Sequence, residues 1–436
     1  MKNSNRIPGS STGLYLLGTW IISTWFLFFA PICAQANGEW TSESPRQELS
    51  PGFSSNPSIL FQGEPTLGLS GNGNQSVNGC WSRIIAVNPE SFYNFTTHFT
   101  FGRVEEPGRS ILARVIWLDE TGNPISVPEY PPTLKTKTVP GWQTIQQTCR
   151  APANGYKAKL ELVFRWDPDG WVRFGDTSFL EAAPPDPRKV RVAAIHFRPR
   201  NSSTGNNLDS FSRLIARAAE RKADIVLLPE GITLVGTGKS YIEAGEPIPG
   251  PSTQFMSKIA RRNNLYLVIN VYEREAEALY NTSVLLDRRG MIVGKYRKVC
   301  LPREEIDGGL SPGDSFPVFS TDFGKIGLMT CWDVFFPEPA RVLARKGAEI
   351  IFLPIWGGNL DLAKARAIEN QVYLVSSSYD MKTGIFDRAG ELLVEGTEEN
   401  PVAVSTIDLS QRRLWPCLGD FKNRIAREKP PAGSLH

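Results

Sequence analysis

The fold is decided by the stretch Lys325-Ile-Gly-Leu-Met-Thr-Cys331-Trp-Asp-Val-Phe-Phe-Pro337-Glu338, in which an apolar run ends abruptly. The apolar half predicts a short buried strand, and residues 339–346 predict a helix that ends before Gly347. A cysteine on a tight strand-to-helix turn is held away from the sheet, where backbone N–H groups can stabilise its thiolate. Cys331 is therefore a candidate nucleophile. The alternative is a small buried apolar side chain, the usual fate of a free cysteine.

Two other segments also end an apolar run with a charged residue. Ala223-Asp-Ile-Val-Leu-Leu-Pro229-Glu230 predicts a strand followed by a carboxylate, and Gly294-Lys-Tyr-Arg-Lys298 follows another strand-like run. Ligands and catalytic groups of α/β sheets gather beyond the strand ends. We therefore expect Glu230, Lys298 and Cys331 to lie close together.

This set of motifs resembles the nitrilase or carbon-nitrogen hydrolase superfamily, which uses a Glu-Lys-Cys triad. The matching elements are Pro-Glu at Glu230, Tyr-Arg-Lys at Lys298 and Cys-Trp-Asp-x-x-Phe-Pro-Glu at Cys331, separated by 68 and 33 residues. The resemblance covers roughly residues 188–425 and implies a four-layer α-β-β-α sandwich for them. The form of the cysteine motif is more similar to the amidase and N-carbamoyl amidase branches than to true nitrilases.

The resemblance also implies a role for each matching residue. Cys331 would attack a carbonyl carbon, Glu230 would act as general base and acid, and Lys298 would stabilise the oxyanion. A second glutamate, expected shortly after the lysine, is Glu305, with Glu304 as the fallback. The predicted substrate-binding residues, each of which could equally be a core residue, are Trp332, Trp356 and Tyr296.

Composition excludes several classes of function. The chain has 436 residues and a net charge of only +3, and no basic cluster with interleaved aromatic residues, so nucleic-acid binding is not expected. Its three histidines, His98, His196 and His436, are scattered, and no Cys or His pair has the spacing of zinc ligands. We predict neither a metal nor a cofactor. The scarcity of histidine also favours a carboxylate as the base for Cys331.

The first 36 residues have the pattern of a signal peptide. Lys2 and Arg6 precede an apolar stretch from about residue 14 to residue 32, and Ala34-Gln-Ala36 fits a cleavage site. We predict an exported protein, periplasmic or extracellular; the long apolar stretch leaves an uncleaved membrane anchor as the alternative. Removing residues 1–36 leaves an odd number of cysteines, so at least one thiol stays free, and Cys80 and Cys149 could pair.

The rest of the chain divides by pattern. Residues 37–75 are rich in Ser, Gly, Asn and Pro and predict a flexible lead-in. Residues 76–181 show short β-type runs between turn sequences, which predicts an all-β, jelly-roll-like sandwich similar to carbohydrate-binding modules. A proline-rich linker, 182–188, precedes an alternation of strands and helices over residues 189–428, which indicates an α/β domain.

Partners and alternatives follow from these assignments. The substrate is expected to be a small amide or carbamoyl compound, and the resemblance makes a homodimer plausible. The β domain could bind a glycan by stacking, or its tryptophans could fill a core; they are Trp81, Trp117, Trp142, Trp166 and Trp171. The alternatives are a nitrile hydrolase, an amide-forming acyltransferase, and a non-catalytic glycan-binding or adhesion protein with a degenerate hydrolase domain.

Overall fold

The computed structural model describes residues 39–134, 139–415, 419–425 and 427–428, with the backbone alone for 56–58. The predicted signal segment, 1–36, and Cys417 lie outside the described residues. The described residues belong to one compact unit. Among their helices, none combines the length and the apolar character that crossing a membrane requires.

The strands of the β-rich N-terminal part are β1 (Thr41–Glu43), β2 (Gly52–Phe61), β3 (Glu64–Ser70), β4 (Asn78–Ala86), β5 (Phe92–Gly102), β6 (Ile111–Leu118), β7 (Gln143–Arg150), β8 (Lys157–Arg165) and β9 (Trp171–Ala182). The α/β part contains β10 (Lys189–Ile195), β11 (Ile225–Leu227), β12 (Tyr266–Glu275), β13 (Ala278–Leu286), β14 (Ile292–Arg297), β15 (Val318–Ser320), β16 (Lys325–Leu328), β17 (Ile350–Ile355), β18 (Tyr373–Ser378), β19 (Thr383–Phe386), β20 (Leu392–Gly396) and β21 (Val402–Asp408). The helices are α1 (Pro107–Ser110), α2 (Thr204–Glu220), α3 (Tyr241–Ala244), α4 (Pro251–Asn263), α5 (Arg303–Asp307), α6 (Pro337–Arg345), α7 (Leu360–Asn370) and α8 (Phe421–Ile425).

The N-terminal part consists of two antiparallel sheets, with strand orders β1-β4-β8-β6 and β2-β3-β9-β5-β7. Side chains from both sheets share one buried cluster, which includes Phe95, Trp117 and Phe174. We call these residues, 39–182, the β domain. Its resemblance to jelly rolls remains a prediction.

The expected flexible lead-in over residues 37–75 is wrong for its described residues. β2 and β3 pair antiparallel with each other, and β3 pairs with β9, so Leu67 lies opposite Phe174. Polar and glycine-rich composition concealed the strands, and β3 is held from its other side by β9, about a hundred residues later in the chain.

Cys80 and Cys149, whose pairing the sequence left open, are both free thiols. Cys149 points into the core that the two sheets share. Cys80 lies in the other sheet, in a separate small cluster with Leu112 and Val163. The two cysteines therefore belong to different packing layers.

The α/β part has two six-stranded sheets, ordered β14-β13-β12-β11-β10-β21 and β15-β16-β17-β18-β19-β20. A buried cluster containing Val192, Leu328 and Phe352 lies between the sheets. α2 and α4 cover the outer face of the first sheet, and α6 and α7 cover that of the second. These are four layers in the order α-β-β-α, as expected.

The local sequence explains the helices. In α2 the predicted apolar stripe is buried, at Leu208, Phe211, Leu214, Ile215 and Ala218. α6 begins two residues earlier than expected, at Pro337, whose fixed φ suits the first turn. Gly347 follows with a φ of +98°, the left-handed conformation of a helix stop.

Parallel pairing aligns the strand ends that build the site. β10, β11 and β12 run parallel, as do β16, β17 and β18. The loops after β11, β16, β17 and β18 therefore open at the carboxyl edges of the two sheets, where ligand sites of such sheets lie.

Candidate active site

The turn after β16 holds Cys331 in a strained conformation. Cys331 has a φ of +46°, which is uncommon for a residue with a side chain. It begins a 3₁₀ helix, Cys331–Phe335, that leads into α6, and Thr330 and Asp333 form a reciprocal cap around it. Such strain persists only where surrounding contacts impose it, and it is concentrated at functional sites.

Those contacts centre on the buried carboxylate of Asp333. Its Oδ2 accepts hydrogen bonds from the Tyr296 hydroxyl at 2.6 Å and the Thr330 backbone N–H at 2.8 Å. Its Oδ1 accepts one from the Cys300 backbone N–H at 3.0 Å. Burial raises the pKa of Asp333, although these three donors oppose that shift. Asp333 thus ties the cysteine turn to the loop that carries Lys298.

Glu230, Lys298 and Glu305 form a buried charged group beside the turn. The Lys298 ammonium lies 3.2 Å from Oε1 of Glu230 and 2.9 Å from Oε2 of Glu305. All three side chains are almost completely buried. One cation therefore forms ion pairs with two carboxylates in a space from which water is largely excluded.

Asn281, on β13, connects the two carboxylates. It was not predicted from the sequence as a site residue. Its Nδ2 donates to Oε1 of Glu230 and to Oε1 of Glu305, both at 2.7 Å. Its Oδ1 accepts a hydrogen bond from Asn270 on β12 at 2.7 Å, which fixes the orientation of the amide. The sequence does contain one indication of this role. Each of two strongly apolar strands includes an asparagine, and a buried polar side chain requires hydrogen-bond partners.

The hydrogen-bond network continues from the loop of Glu230 to the cysteine turn. Asn270 accepts a hydrogen bond from the Gly231 N–H at 2.8 Å and donates to Ser283 at 3.1 Å. The Ser283 hydroxyl lies 2.9 Å from the Thr330 hydroxyl. Gly231 follows Glu230 and Thr330 precedes Cys331, so a continuous set of hydrogen bonds fixes the two loops relative to each other.

Two further backbone contacts hold Glu230, from residues beyond β17 and β18. The Trp356 backbone N–H donates to Oε2 of Glu230 at 2.8 Å. The Tyr379 hydroxyl donates to the Glu230 carbonyl oxygen at 2.8 Å. With every contact of the carboxylate supplied by a fixed group, its orientation is set before a substrate arrives.

The electrostatics favour a protonated thiol at rest. Burial and the neighbouring Glu230 raise the pKa of Cys331, whereas Lys298 and the Trp356 N–H lower it; the net direction is upward. Glu230 is the one carboxylate among the groups that most affect the pKa of Cys331. Burial lowers the pKa of Lys298, but Glu230, Cys331 and Glu305 outweigh it, so Lys298 stays charged. Proton transfer from the thiol to Glu230 would create a thiolate beside this fixed cation.

The surroundings of Glu305 raise its pKa. Burial, with the nearby negative charge of Glu230, raises the pKa of Glu305, while Lys298 and Asn281 pull it down. Two carboxylates that share one cation cannot both be ionised without cost. The environment of Glu305 therefore disfavours its charge.

A cavity of about 350 Å³ opens onto these groups. Its lining includes Glu230, Lys298, Glu305, Cys331 and Glu304, together with Leu234, Tyr241, Tyr272, Pro302, Trp332, Trp356 and Gly357. Both candidate second glutamates line it, but it is Glu305 that contacts Lys298. Trp332 and Trp356 also line it, and their contact with substrate remains a prediction.

Tyr296 does not line this cavity, so its predicted contact with substrate is wrong. Its ring is buried between the two sheets and its hydroxyl donates to Asp333. It belongs to the framework that holds the cysteine turn. Tyr296 lies within β14, where its ring packs between the sheets, whereas Lys298 follows the end of that strand.

One group of side chains in the described residues has the geometry to hold a metal ion, and it lies far from these strand ends. Glu43, Cys80 and Glu161 place one potential ligand atom each within 4.8 Å of one another. Lys159 and Arg114 already form ion pairs with its carboxylates. Burial and Glu161 raise the pKa of the Cys80 thiol to about 12, so it is protonated as it stands.

The tryptophans of the β domain divide between core and surface. Trp117 is buried and donates to Glu129 at 2.7 Å, which makes it a core residue. Trp166 is exposed, and the Arg165 guanidinium lies 3.8 Å from the centroid of its ring. Glycan binding remains a prediction, with Trp166 as the exposed aromatic side chain in the set.

Comparison with known proteins places this geometry in a family. The carbon-nitrogen hydrolase family model matches residues 191–416, slightly more than half of the chain. A nitrilase of Pyrococcus abyssi is 36% identical over 263 residues, covering 54% of this chain and 97% of that protein. An omega-amidase of Mus musculus is 32% identical over 248 residues, covering 51% and 89%. The crystal structure of a carbon-nitrogen hydrolase from Helicobacter pylori is 22% identical, covers 51% of this chain and 90% of that one, and has a TM-score of 0.46.

A four-layer α/β fold whose strand ends gather a buried carboxylate, an ammonium and a thiol defines an enzyme. The chain belongs to the carbon-nitrogen hydrolase family, within the nitrilase superfamily. It is accordingly a hydrolase of carbon–nitrogen bonds.

Proposed function

We propose that this enzyme is an exported thiol hydrolase that cleaves a linear, non-peptide C–N bond, in an amide or an N-carbamoyl compound, through an acyl-enzyme on Cys331. The observation that carries the proposal is the convergence of Glu230, Lys298 and Cys331 on one cavity, in which Lys298 contacts Glu230. A carboxylate base, a thiol and a cation at one point are the parts that acyl transfer needs.

In the first half of the reaction, Glu230 takes the thiol proton of Cys331, and the sulfur forms a bond to the carbonyl carbon. The carbonyl oxygen becomes an oxyanion, which Lys298 stabilises. The C–N bond then breaks, and the proton on Glu230 goes to the nitrogen, which leaves as ammonia or an amine. The acyl group stays on sulfur as a thioester.

In the second half, Glu230 takes a proton from water, and the hydroxyl oxygen forms a bond to the thioester carbon. The carbon–sulfur bond breaks, and Cys331 recovers its proton from Glu230 as the acid product leaves. Glu305 acts through Lys298, 2.9 Å away, and through Asn281. It is a positioning residue for the ammonium.

The charges in the cavity favour a substrate with a neutral or cationic tail. Within the described residues, Lys298 is the single cationic side chain that lines the cavity, and two carboxylates already occupy it. Glu304 adds another negative group, and Tyr241, Trp332 and Trp356 supply aromatic surface. Aromatic faces and a carboxylate attract cations, whereas a carboxylate tail would find no free partner.

The experiment is a panel of compounds that share one aliphatic chain and differ at its two ends. One end is an amide, an N-carbamoyl amine or a nitrile, and the other is a methyl, amino or carboxylate group. Ammonia release is measured for the wild type, with Cys331→Ala as background. We expect release from the amide or carbamoyl compounds, fastest without the carboxylate. Equal release by both proteins would refute the hydrolase proposal.

Nitrile hydrolysis is the second candidate, because the relative from Pyrococcus abyssi, at 36% identity, is a nitrilase by name. The same nucleophile could attack a nitrile carbon to give a thioimidate, which water converts to acid and ammonia. Preference for the nitrile over the matched amide in the panel would select this candidate.

Export, glycan binding and dimerisation belong to the same proposal. Export rests on the basic, apolar and Ala-x-Ala pattern of residues 1–36. Fractionation of cells that express the full chain tests export, with a chain that starts at residue 37 as control.

Sedimentation of the purified enzyme tests whether it is a dimer. A pull-down on insoluble polysaccharide tests whether the β domain binds a glycan.

A further inference from the structure

A second, larger cavity lies beside the catalytic one, and arginines dominate its charged lining. It has a volume of about 840 Å³, more than twice that of the catalytic cavity. Its charged lining residues are Arg198, Arg200, Arg213, Arg217, Asp380 and Glu398. With His196 neutral, the lining carries an excess of two positive charges in a protein whose net charge is only +3.

The arginines come from two elements that the fold brings together. Arg198 and Arg200 follow β10, and Arg213 and Arg217 stand one turn apart on α2. Like charges at this helical spacing repel each other. The two carboxylates of the lining, Asp380 and Glu398, offset only half of this positive charge, and all four arginines are exposed to solvent.

Two of the four guanidinium groups have a recorded partner. Arg198 pairs with Asp380, and Arg213 donates to the Ser210 hydroxyl at 2.9 Å. The guanidinium groups of Arg200 and Arg217 make no hydrogen bond or ion pair with any residue that the structure describes. Their donors are therefore available to a ligand.

The basic cavity is separated from the catalytic cavity by a thin wall. The Arg198 guanidinium lies 5.6 Å from the ring centroid of Trp356, which lines the catalytic cavity. Asp380 packs against Gly357, at 3.0 Å from the position that a Cβ would take there. Tyr379 lines the basic cavity and bonds to the backbone of Glu230. The two cavities share no lining residue.

We propose that the basic cavity is a second ligand site, which binds a small polyanion of phosphate type, with two or more adjacent anionic groups. Guanidinium groups bind phosphate oxygens in pairs, and four of them arranged around a hollow suit a ligand with several such oxygens. The volume accommodates a compound of metabolite size. A single monovalent anion would leave most of the donors unused.

The test is calorimetric titration of the full enzyme with sodium pyrophosphate at constant ionic strength, with sodium chloride and sodium sulfate as comparisons. We expect saturable binding of one pyrophosphate, and weaker binding of sulfate. In the double variant Arg200→Gln/Arg217→Gln, pyrophosphate binding should weaken by at least about tenfold, because two charge-assisted contacts are lost.

The matched control is Arg261→Gln/Arg262→Gln, which removes two exposed arginines of α4 in the same helical layer and leaves the cavity intact. Its affinity should equal that of the wild type. Absence of saturable binding by the wild type would overturn the proposal, and so would equal affinity in the Arg200/Arg217 variant. Circular dichroism verifies that each variant is folded. Because the readout is binding, the outcome does not depend on the proposed hydrolase reaction.

Discussion

The central residues of the site are two glutamates that share one lysine. Glu230 and Glu305 both contact the Lys298 ammonium, and Asn281 donates to both. Burial penalises each charge, and hydrogen bonds offset that penalty only where every donor is in place. Catalytic performance should therefore depend on Asn281, which touches no reacting atom.

Asn281→Ala should lower kcat/KM by about 10²-fold, the scale of losing a preorganised donor. The lost N–H groups stabilise ionised carboxylates, so the pKa of Glu305 rises further and the acid limb of the pH–rate profile moves to higher pH. The measurement is kcat/KM against pH. Asn263→Ala, on α4, is the control, since its amide bonds only to the Ile259 carbonyl. An unshifted acid limb would argue that Asn281 is merely structural.

Glu305→Gln should make the protein more stable and less active. The pKa of Glu305 is raised in the folded state, so its ionised form opposes folding above that pKa. The variant should gain on the order of 1 kcal/mol at neutral pH, and the gain should vanish below the pKa of an unfolded glutamate, about 4.3. Thermal unfolding across pH measures this. A loss of stability at neutral pH would show that Lys298 requires both carboxylates.

At the scale of single residues, the sequence motifs predicted the charged groups and the thiol of the site, but not the residues that hold them in place. Glu230, Lys298 and Cys331 could be found because each follows an apolar run in a distinctive local pattern. Asn281 could not be assigned, since its partners lie 51 and 24 residues away and only strand pairing brings them together. Tyr296 was misassigned because its position beside the lysine says nothing about which face of β14 it occupies.

At the scale of elements, the cysteine turn depends on one buried carboxylate. Asp333 fixes Thr330, Cys300 and Tyr296 around the strained Cys331. The turn therefore keeps its unusual φ through contacts that come from β14 and the loop after it. Removing one contact should relax the turn without unfolding α6.

Tyr296→Phe removes the hydroxyl that donates to Asp333 and keeps the ring in the core. We expect about 1–2 kcal/mol of lost stability, the cost of leaving a buried acceptor less satisfied, with kcat reduced about tenfold and KM little changed. Thermal unfolding and steady-state kinetics measure the two effects. Tyr266→Phe, on β12 in the same core, is the control, because its hydroxyl only accepts from Asp322 at 3.3 Å. Equal kinetics of the two variants would contradict this role for Tyr296.

The α/β elements could be predicted from periodicity alone, whereas the first strands of the β domain could not. α2 buries a regular apolar stripe within its own sequence, a pattern that indicates a helix without any knowledge of its partners. β2 and β3 contain Ser, Gly and Pro at ordinary loop frequencies. Their stability comes from pairing within their sheet, which no local pattern reports.

At the scale of the whole molecule, the C-terminal segment attaches the α/β part to the β domain. Arg412 pairs with Glu129 of the β domain and with Asp420. Glu129 also accepts hydrogen bonds from Trp117 at 2.7 Å and Gln147 at 3.2 Å. Since Glu129 is buried, its charge depends on Arg412 for compensation.

Arg412→Ala should lower the free energy of unfolding by about 2 kcal/mol, because a buried carboxylate loses its cation; the value allows for the partial exposure of Arg412. Turnover per folded molecule should be unchanged, since the catalytic network lies elsewhere. Chemical denaturation and active-site titration measure these quantities. Arg413→Ala is the control, with its guanidinium largely exposed and 3.9 Å from Asp387. Equal stability of the two variants would show that Arg412 does not stabilise the attachment of the β domain.

The central claim is that Cys331 carries the acyl group, and rapid quenching followed by peptide mass spectrometry tests it most directly. The enzyme is mixed with its best amide or carbamoyl substrate and quenched in acid, and the acylated peptide is identified. Cys300, two residues beyond Lys298, is the internal control; burial and Asp333 raise the pKa of its thiol to about 12. The account predicts the acyl group on Cys331, none on Cys300, and no turnover by Cys331→Ala. Undiminished turnover by Cys331→Ala, or the acyl group on another residue, would contradict it.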